Sequence, residues 1–370
     1  MKIDKEFIDN ILEEAINIQK IASPTFNEKK RAEYVVNSFS NNGLKNVTID
    51  TLNNVISCRP GGNGKSVLVS AHLDTVFPIG TDLKVTRKNG KILGPGIGDN
   101  SLGVGSLIGL QKILNKLNIN LPGDLYIVAN SCEEGLGDLK GIREVINKIV
   151  NKISTVIALE GSGYDRLTYS GIGSRRYKVS IKSPGGHSWG DFGSESAVHH
   201  LVNLGSKLTQ LKVPHKPKTT FNIGTINGGV SVNTIAEEAS LLLDLRSESK
   251  PDLDNLVNQV ETIFNSYEYK NSCLSYEVVG NRPVGKLNNC DPLVKIAKKV
   301  YAEFGVLNPD ISPSSTDINL PLSLGYPSIC IGLTKAKNVH KKNEYIEIEP
   351  FYNGFRRLVQ LLMNVFEQTD

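Results

Sequence analysis

Seven ionisable side chains stand where apolar runs stop, or in one glycine-rich loop. "VLVSAH" ends at His72, and Asp74 follows two positions later. "LYIVANS" runs into the neighbours Glu133 and Glu134, "VIALE" ends at Glu160, and "SICIGL" ends shortly before His340. Asp99 lies in "GPGIGDNSLG", just ahead of a helical pattern. Carboxylates repel when brought together, so several in one site need a cation. Imidazole plus carboxylate oxygen suits zinc, or less selectively cobalt or manganese. Taken singly, each residue has a plainer reading. His-x-Asp is usually a surface pair, and Glu-Glu before Gly a solvated turn. Asp99 could serve as an Asx-turn or helix cap. Glu160 could pair with a buried Arg, and His340 could be an exposed loop residue. Their coincidence at strand ends and adjoining loops outweighs those readings.

The elements that must position them alternate. Phe7, Ile8, Ile11, Leu12, Ala15 and Ile16 recur at helical spacing, and a second helix is predicted from about Glu28 to Phe39. "SVLVSAH", "DLYIVANS" and "STVIALEG" read as buried strands. Between the first two, "LGVGSLIGLQKILNKLN" puts Leu107, Leu110, Ile113, Leu114 and Leu117 on one helical face. Strands separated by helices imply crossover units and a mostly parallel, helix-flanked sheet. Ligand sites form outside the carboxyl ends of such strands. From Arg175 to Val279 the order becomes β-α-β-β-α-β, the ferredoxin-like pattern of a small two-layer domain. After "NRPVG" the alternation resumes. The expected fold class is α/β: a discontinuous domain over 1–172 and 284–370, with a smaller domain inserted at 173–283.

Composition excludes several classes. With 370 residues the chain is long enough for two domains. Its formal net charge of +4 argues against nucleic acid as the main partner. No apolar run reaches the roughly 18 residues a membrane span needs. "MKIDKEFIDN" lacks the apolar core of a signal peptide. The five cysteines are scattered, without CxxC pairing, as expected of reduced thiols in a cytoplasmic protein.

The chain resembles the dizinc exopeptidases and deacylases that include peptidase T, carboxypeptidase G, aminoacylase and succinyl-diaminopimelate desuccinylase. The matching segments are "HLDTV", "GIGDNSLGVG", "EEGLGDLKG", "ALEG", "SPGGHSW", "NGGVSVNTIAEEA", "SSTDIN" and "VHKKNEYIEIEP", in the family's order. The resemblance implies that His72 and Glu160 bind one metal, that Glu134 and His340 bind another, and that Asp99 bridges both. Glu133 would take a proton from the attacking water and hand it to the leaving nitrogen. Asp74 would hydrogen-bond the back of His72 and fix its tautomer. His187 would stabilise the oxyanion, from this chain or from a partner subunit. Asn233 would donate a hydrogen bond at the same place. Arg282 either clamps a substrate carboxylate or makes an interdomain salt bridge. Many members have Pro where this chain has Ala236, which leaves the local turn geometry open.

The expected function is therefore metal-dependent hydrolysis of an amide bond in a small substrate, foremost by an exopeptidase acting on short peptides. The alternatives are an N-acyl-amino-acid deacylase or desuccinylase and, more remotely, a non-catalytic binding protein on the same fold. In the family, Glu at the Glu160 position tends to accompany carboxypeptidases and deacylases. Two divalent ions are expected, Zn2+ first, with Co2+ or Mn2+ as substitutes. A homodimer through the inserted domain is implied, with neither nucleic acid nor membrane as partner.

Overall fold

Val67–His72 (β1) is buried along its whole length, and its neighbours explain why. The computed structural model, which describes residues 3–149, 151–267 and 270–367, pairs it in parallel with Leu125–Asn130 (β2) and with Thr155–Glu160 (β3). Ser328–Gly332 (β4) runs parallel beyond β3. Alternate residues of these strands face different cores. Val67, Val69, Ala71, Leu125, Ile127 and Ala129 join the larger one. Leu68, Tyr126, Val128 and Val156 join the smaller one, under the helix Lys140–Ile149. Both faces are covered, so the runs are continuously apolar rather than alternating. Each Leu, Ile or Val buried this way contributes about 1.5–3 kcal/mol.

The strand order is β2-β1-β3-β4, with antiparallel strands at both edges completing a seven-stranded sheet. The connections from β1 and β3 leave in opposite directions. That switch point opens a crevice at their carboxyl ends, where His72 and Glu160 stand. The helix Leu102–Lys116 packs on Lys5–Gln19 through glycines. A Cβ on Gly109 would meet Ile11 Cδ1 at 2.4 Å.

A second, small sheet was not foreseen. Thr86–Lys88, Lys91–Leu93, Tyr345–Glu347 and Ala336–Lys337 pair antiparallel, with Ile346 opposite Ile92. Strands of two or three residues carry no readable period. This sheet sets the hairpin that carries His340 beside the segment that runs into Asp99.

Contacts divide the chain into Met1–Gly171 with Gly285–Asp370, and Ile172–Val284. The second unit is a β-α-β-β-α-β layer pair. Its strand order is Thr219–Gly228, Glu238–Ser247, Gly173–Lys182, Cys273–Arg282, all antiparallel. The helices Ala197–Thr209 and Lys250–Asn265 bury Leu201, Leu204, Leu208, Leu256, Val260 and Phe264 against Tyr177, Val179, Ile181, Leu241 and Leu243. The first of these helices starts at Ala197, where its apolar pattern begins. Among the described residues, no helix is long and apolar enough to cross a membrane.

Candidate metal centre

Asp99 presents one carboxylate oxygen to each of two imidazoles. Its Oδ1 lies 3.0 Å from His72 Nε2, and its Oδ2 lies 2.8 Å from His340 Nε2. Each imidazole has its own glutamate. Glu160 Oε2 is 3.8 Å from His72 Nε2, and Glu134 Oε1 is 3.1 Å from His340 Nε2. The structure thus gathers His72, Asp99, Glu134, Glu160 and His340, and ligand atoms of His72, Asp99 and Glu134 fall within 4.8 Å of one another. The halves differ in support. The His72 side chain is 2 % exposed at a strand end, whereas that of His340 is 52 % exposed on a loop. His340 also sits at φ +68, a left-handed conformation that costs energy for a residue with a Cβ.

Three side chains outside this set hold its backbone. Asp74, fully buried, accepts hydrogen bonds from the Glu133 and Glu134 N–H groups, both at 2.9 Å, and from Thr25 Oγ1 at 3.0 Å. Its own backbone carbonyl is 3.0 Å from His72 Nδ1, while its carboxylate stands 3.6 Å away. Asp74 therefore sits behind His72 mainly through its backbone, and its carboxylate fixes the Glu133–Glu134 turn. Asn100 donates to the Leu159 carbonyl at 2.7 Å and accepts from Gly161 N–H at 3.0 Å. Glu344 accepts from the N–H groups of Gly96, Gly98 and Asp99, at 3.0, 2.7 and 3.0 Å. Asn100 and Glu344 escaped the sequence reading. Their only signal was position, one residue after Asp99 and four after His340.

The electrostatics follow from burial and crowding. Burial, then the nearby Asp99 and Glu133 charges, push Glu160 up to about 8 and Glu134 up to about 7, against the opposing pull of the imidazoles. Hydrogen bonds to Asp99 and Glu134 raise His340 to about 10. Burial acts to lower His72, but Asp74, Asp99 and Glu160 outweigh it and hold the imidazole well above its usual range. Asp99 is held down by the two imidazoles despite its burial. Crowded together, these oxygens require positive charge. Divalent cations would supply it, and the oxygen and imidazole donors fit them.

Two further acids lie close by. Asp317 is buried, accepts from Asn130 Nδ2 at 2.9 Å, and is raised to about 7 by burial and by the Glu133 charge. Glu28 is buried beneath the same turn and accepts from Cys132 N–H at 3.1 Å. Cys132 is buried, its thiol pushed up to about 12 by burial and the Glu28 charge, in keeping with a packing role.

His187, Asn233 and Arg282 belong to the second unit. His187 and Asn233 are neighbours there. Gly186 and His187 pair with Ile235 and Thr234, and Ser188 N–H donates to the Asn233 carbonyl at 3.0 Å. His187 Nδ1 accepts the N–H groups of Trp189 and Gly190, both at 3.2 Å, which leaves the proton on Nε2. Arg282 pairs with Ser174, at the opposite end of the Gly173–Lys182 strand from His187.

A switch-point crevice lined by imidazoles and carboxylates, in a discontinuous domain with a ferredoxin-like insertion, defines a class of metal-dependent hydrolases. The model of peptidase family M20/M25/M40 matches residues 68–364. The chain is 24% identical over 324 residues to carboxypeptidase G2 of Pseudomonas sp. (strain RS-16), covering 84% of this chain and 77% of that one. A tripeptidase of Staphylococcus aureus superposes with a TM-score of 0.81 at 21% identity, covering 98% and 99%. A dinuclear metal-binding M20 peptidase of Bacillus subtilis gives 0.70 at 16%, covering 99% and 100%. The chain belongs to peptidase family M20/M25/M40 and is a metal-dependent hydrolase.

Proposed function

We propose that the chain is an exopeptidase acting on short peptides, with two divalent ions, zinc foremost. One ion would sit among His72, Asp99 and Glu160, the other among Asp99, Glu134 and His340. The observation that carries this reading is the division of Asp99 between two imidazoles, each with its own glutamate. When bound, the ions supply Lewis acidity toward a carbonyl and lower the pKa of a water. Glu133, on the turn fixed by Asp74, takes the proton of the attacking water and delivers it to the leaving nitrogen. His187 offers its Nε2–H, and Asn233 its side-chain amide, to the developing oxyanion. Arg282 is the candidate clamp for a substrate carboxylate.

A homodimer through the inserted domain is part of the proposal. Trp189, Phe192, Val230 and Val232 are large apolar side chains left exposed around His187 and Asn233. All five cysteines are free, which supports a reducing, cytoplasmic compartment.

Within the exopeptidase reading Glu160 favours carboxypeptidase action, and it also favours a second reading, removal of an acyl group from an amino acid. A panel of di- and tripeptides with free or blocked termini, and of acetyl and succinyl amino acids, tests both with zinc, cobalt or manganese restored. Turnover of free peptides first supports the exopeptidase. Turnover confined to acyl amino acids replaces it with the deacylase.

A further inference from the structure

Glu344 lies four residues beyond His340 and is fully buried. Its Oε2 accepts from Gly96 N–H, and its Oε1 accepts from both Gly98 and Asp99 N–H. Its backbone is tied as well. Gly94 N–H donates to the Glu344 carbonyl at 3.0 Å, and Glu344 N–H donates to the Lys341 carbonyl at 2.9 Å. Gly96 takes φ +73, open to glycine, and a Cβ on Gly98 would lie 3.1 Å from Glu344 Oε1. The glycine-rich loop is thus wrapped around a carboxylate of its own chain. One side chain joins the segment bearing Asp99 to the loop bearing His340.

The two halves of the centre do not need this joint equally. His72 and Glu160 end paired strands of the main sheet, and Asn100 fastens the backbone on either side of Glu160. His340 stands on a loop in a left-handed conformation, half-exposed, and beyond its own contact with Asp99 the loop is tied to the Asp99 segment by the short sheet and Glu344. The structure assigns Glu344 as a positioning residue that holds the His340–Glu134 half of the centre in register with Asp99, so that losing it costs the protein one metal site and spares the other. The assignment rests on the two-metal reading given above.

The test is titration of the chelator-stripped full chain with Zn2+ alone against a chromophoric chelator, repeated with Co2+ while following its visible absorption. The wild-type chain is expected to bind two ions. Glu344→Ala is expected to keep one at wild-type affinity and to bind the second about 10–100-fold more weakly. Glu344→Gln retains the Oε1 acceptor for Gly98 and Asp99 but turns an amide against Gly96 N–H, so it falls between them. It also serves if the alanine variant does not fold. Two undiminished sites in both variants would overturn the assignment, and so would equal weakening of both sites. A wild-type chain that binds no metal would instead overturn the two-metal reading.

Discussion

Asn100 grips Glu160 from both sides. Its amide donates to the carbonyl before Glu160 and accepts from the N–H after it. The residue next to Asp99 therefore sets where the carboxylate of Glu160 begins. Gly161 makes the approach close, because a Cβ there would lie 2.3 Å from the Gly98 carbonyl oxygen.

Asn100→Ala leaves two buried backbone groups without their partner. Each costs about 1–3 kcal/mol, so urea unfolding of the metal-free protein should show a loss of about 2–6 kcal/mol. Unchanged stability would mean that the backbone finds other partners there.

Gly161→Ala forces its new methyl group against backbone rather than against a flexible side chain. A loss of about 1–3 kcal/mol is expected, with weaker metal binding, because Glu160 and the Asp99 loop must part. A thermal shift and a metal titration check both, and a neutral outcome in each would contradict the proposed contact.

Glu133→Gln keeps the shape of the turn and removes the proton acceptor. Activity should fall by about 10²–10⁴-fold while metal stoichiometry, measured by elemental analysis, stays at the wild-type value. Full activity in this variant would remove Glu133 from the mechanism.

Metal affinity should rise with pH. Glu134 titrates near 7, Glu160 near 8 and His340 near 10 in the metal-free protein. At pH 7 these groups hold protons that a cation must displace, so binding releases them, and affinity falls as the pH drops. Calorimetry in two buffers of different ionisation enthalpy counts the protons. A count of zero near pH 7 would contradict this electrostatic description.

The proposed homodimer is implied by the family resemblance, and the exposed apolar side chains of the inserted domain are its candidate contact, so changing them should break it. Trp189→Ser together with Val232→Asp should convert a dimer to a monomer in light scattering at micromolar concentration. A wild-type chain that is already monomeric there would set the dimer aside, and with it any role for His187 across subunits.

The sequence was most readable where one residue type interrupts a pattern. His72, Glu160 and the Glu133–Glu134 pair end apolar runs, and runs buried on both faces need no tertiary knowledge to recognise. The ferredoxin-like order was legible for the same reason, since its helices and strands are long enough to show their periods. Asn100 and Glu344 were not legible. Asn and Glu are ordinary in loops, and what distinguishes these two is a bond to backbone 59 to 61 positions away for Asn100 and 245 to 248 for Glu344. Asp74 was half legible. Its place behind His72 was implied by the family resemblance, but its hold on the Glu133 and Glu134 N–H groups depends on strand pairing, which brings β2 beside β1.

Anomalous diffraction at the zinc edge from crystals of the metal-loaded chain addresses the two-metal centre most directly. The account predicts two peaks. One should lie against His72, Asp99 and Glu160, and the other against Asp99, Glu134 and His340. A single peak, or peaks away from Asp99, would contradict it.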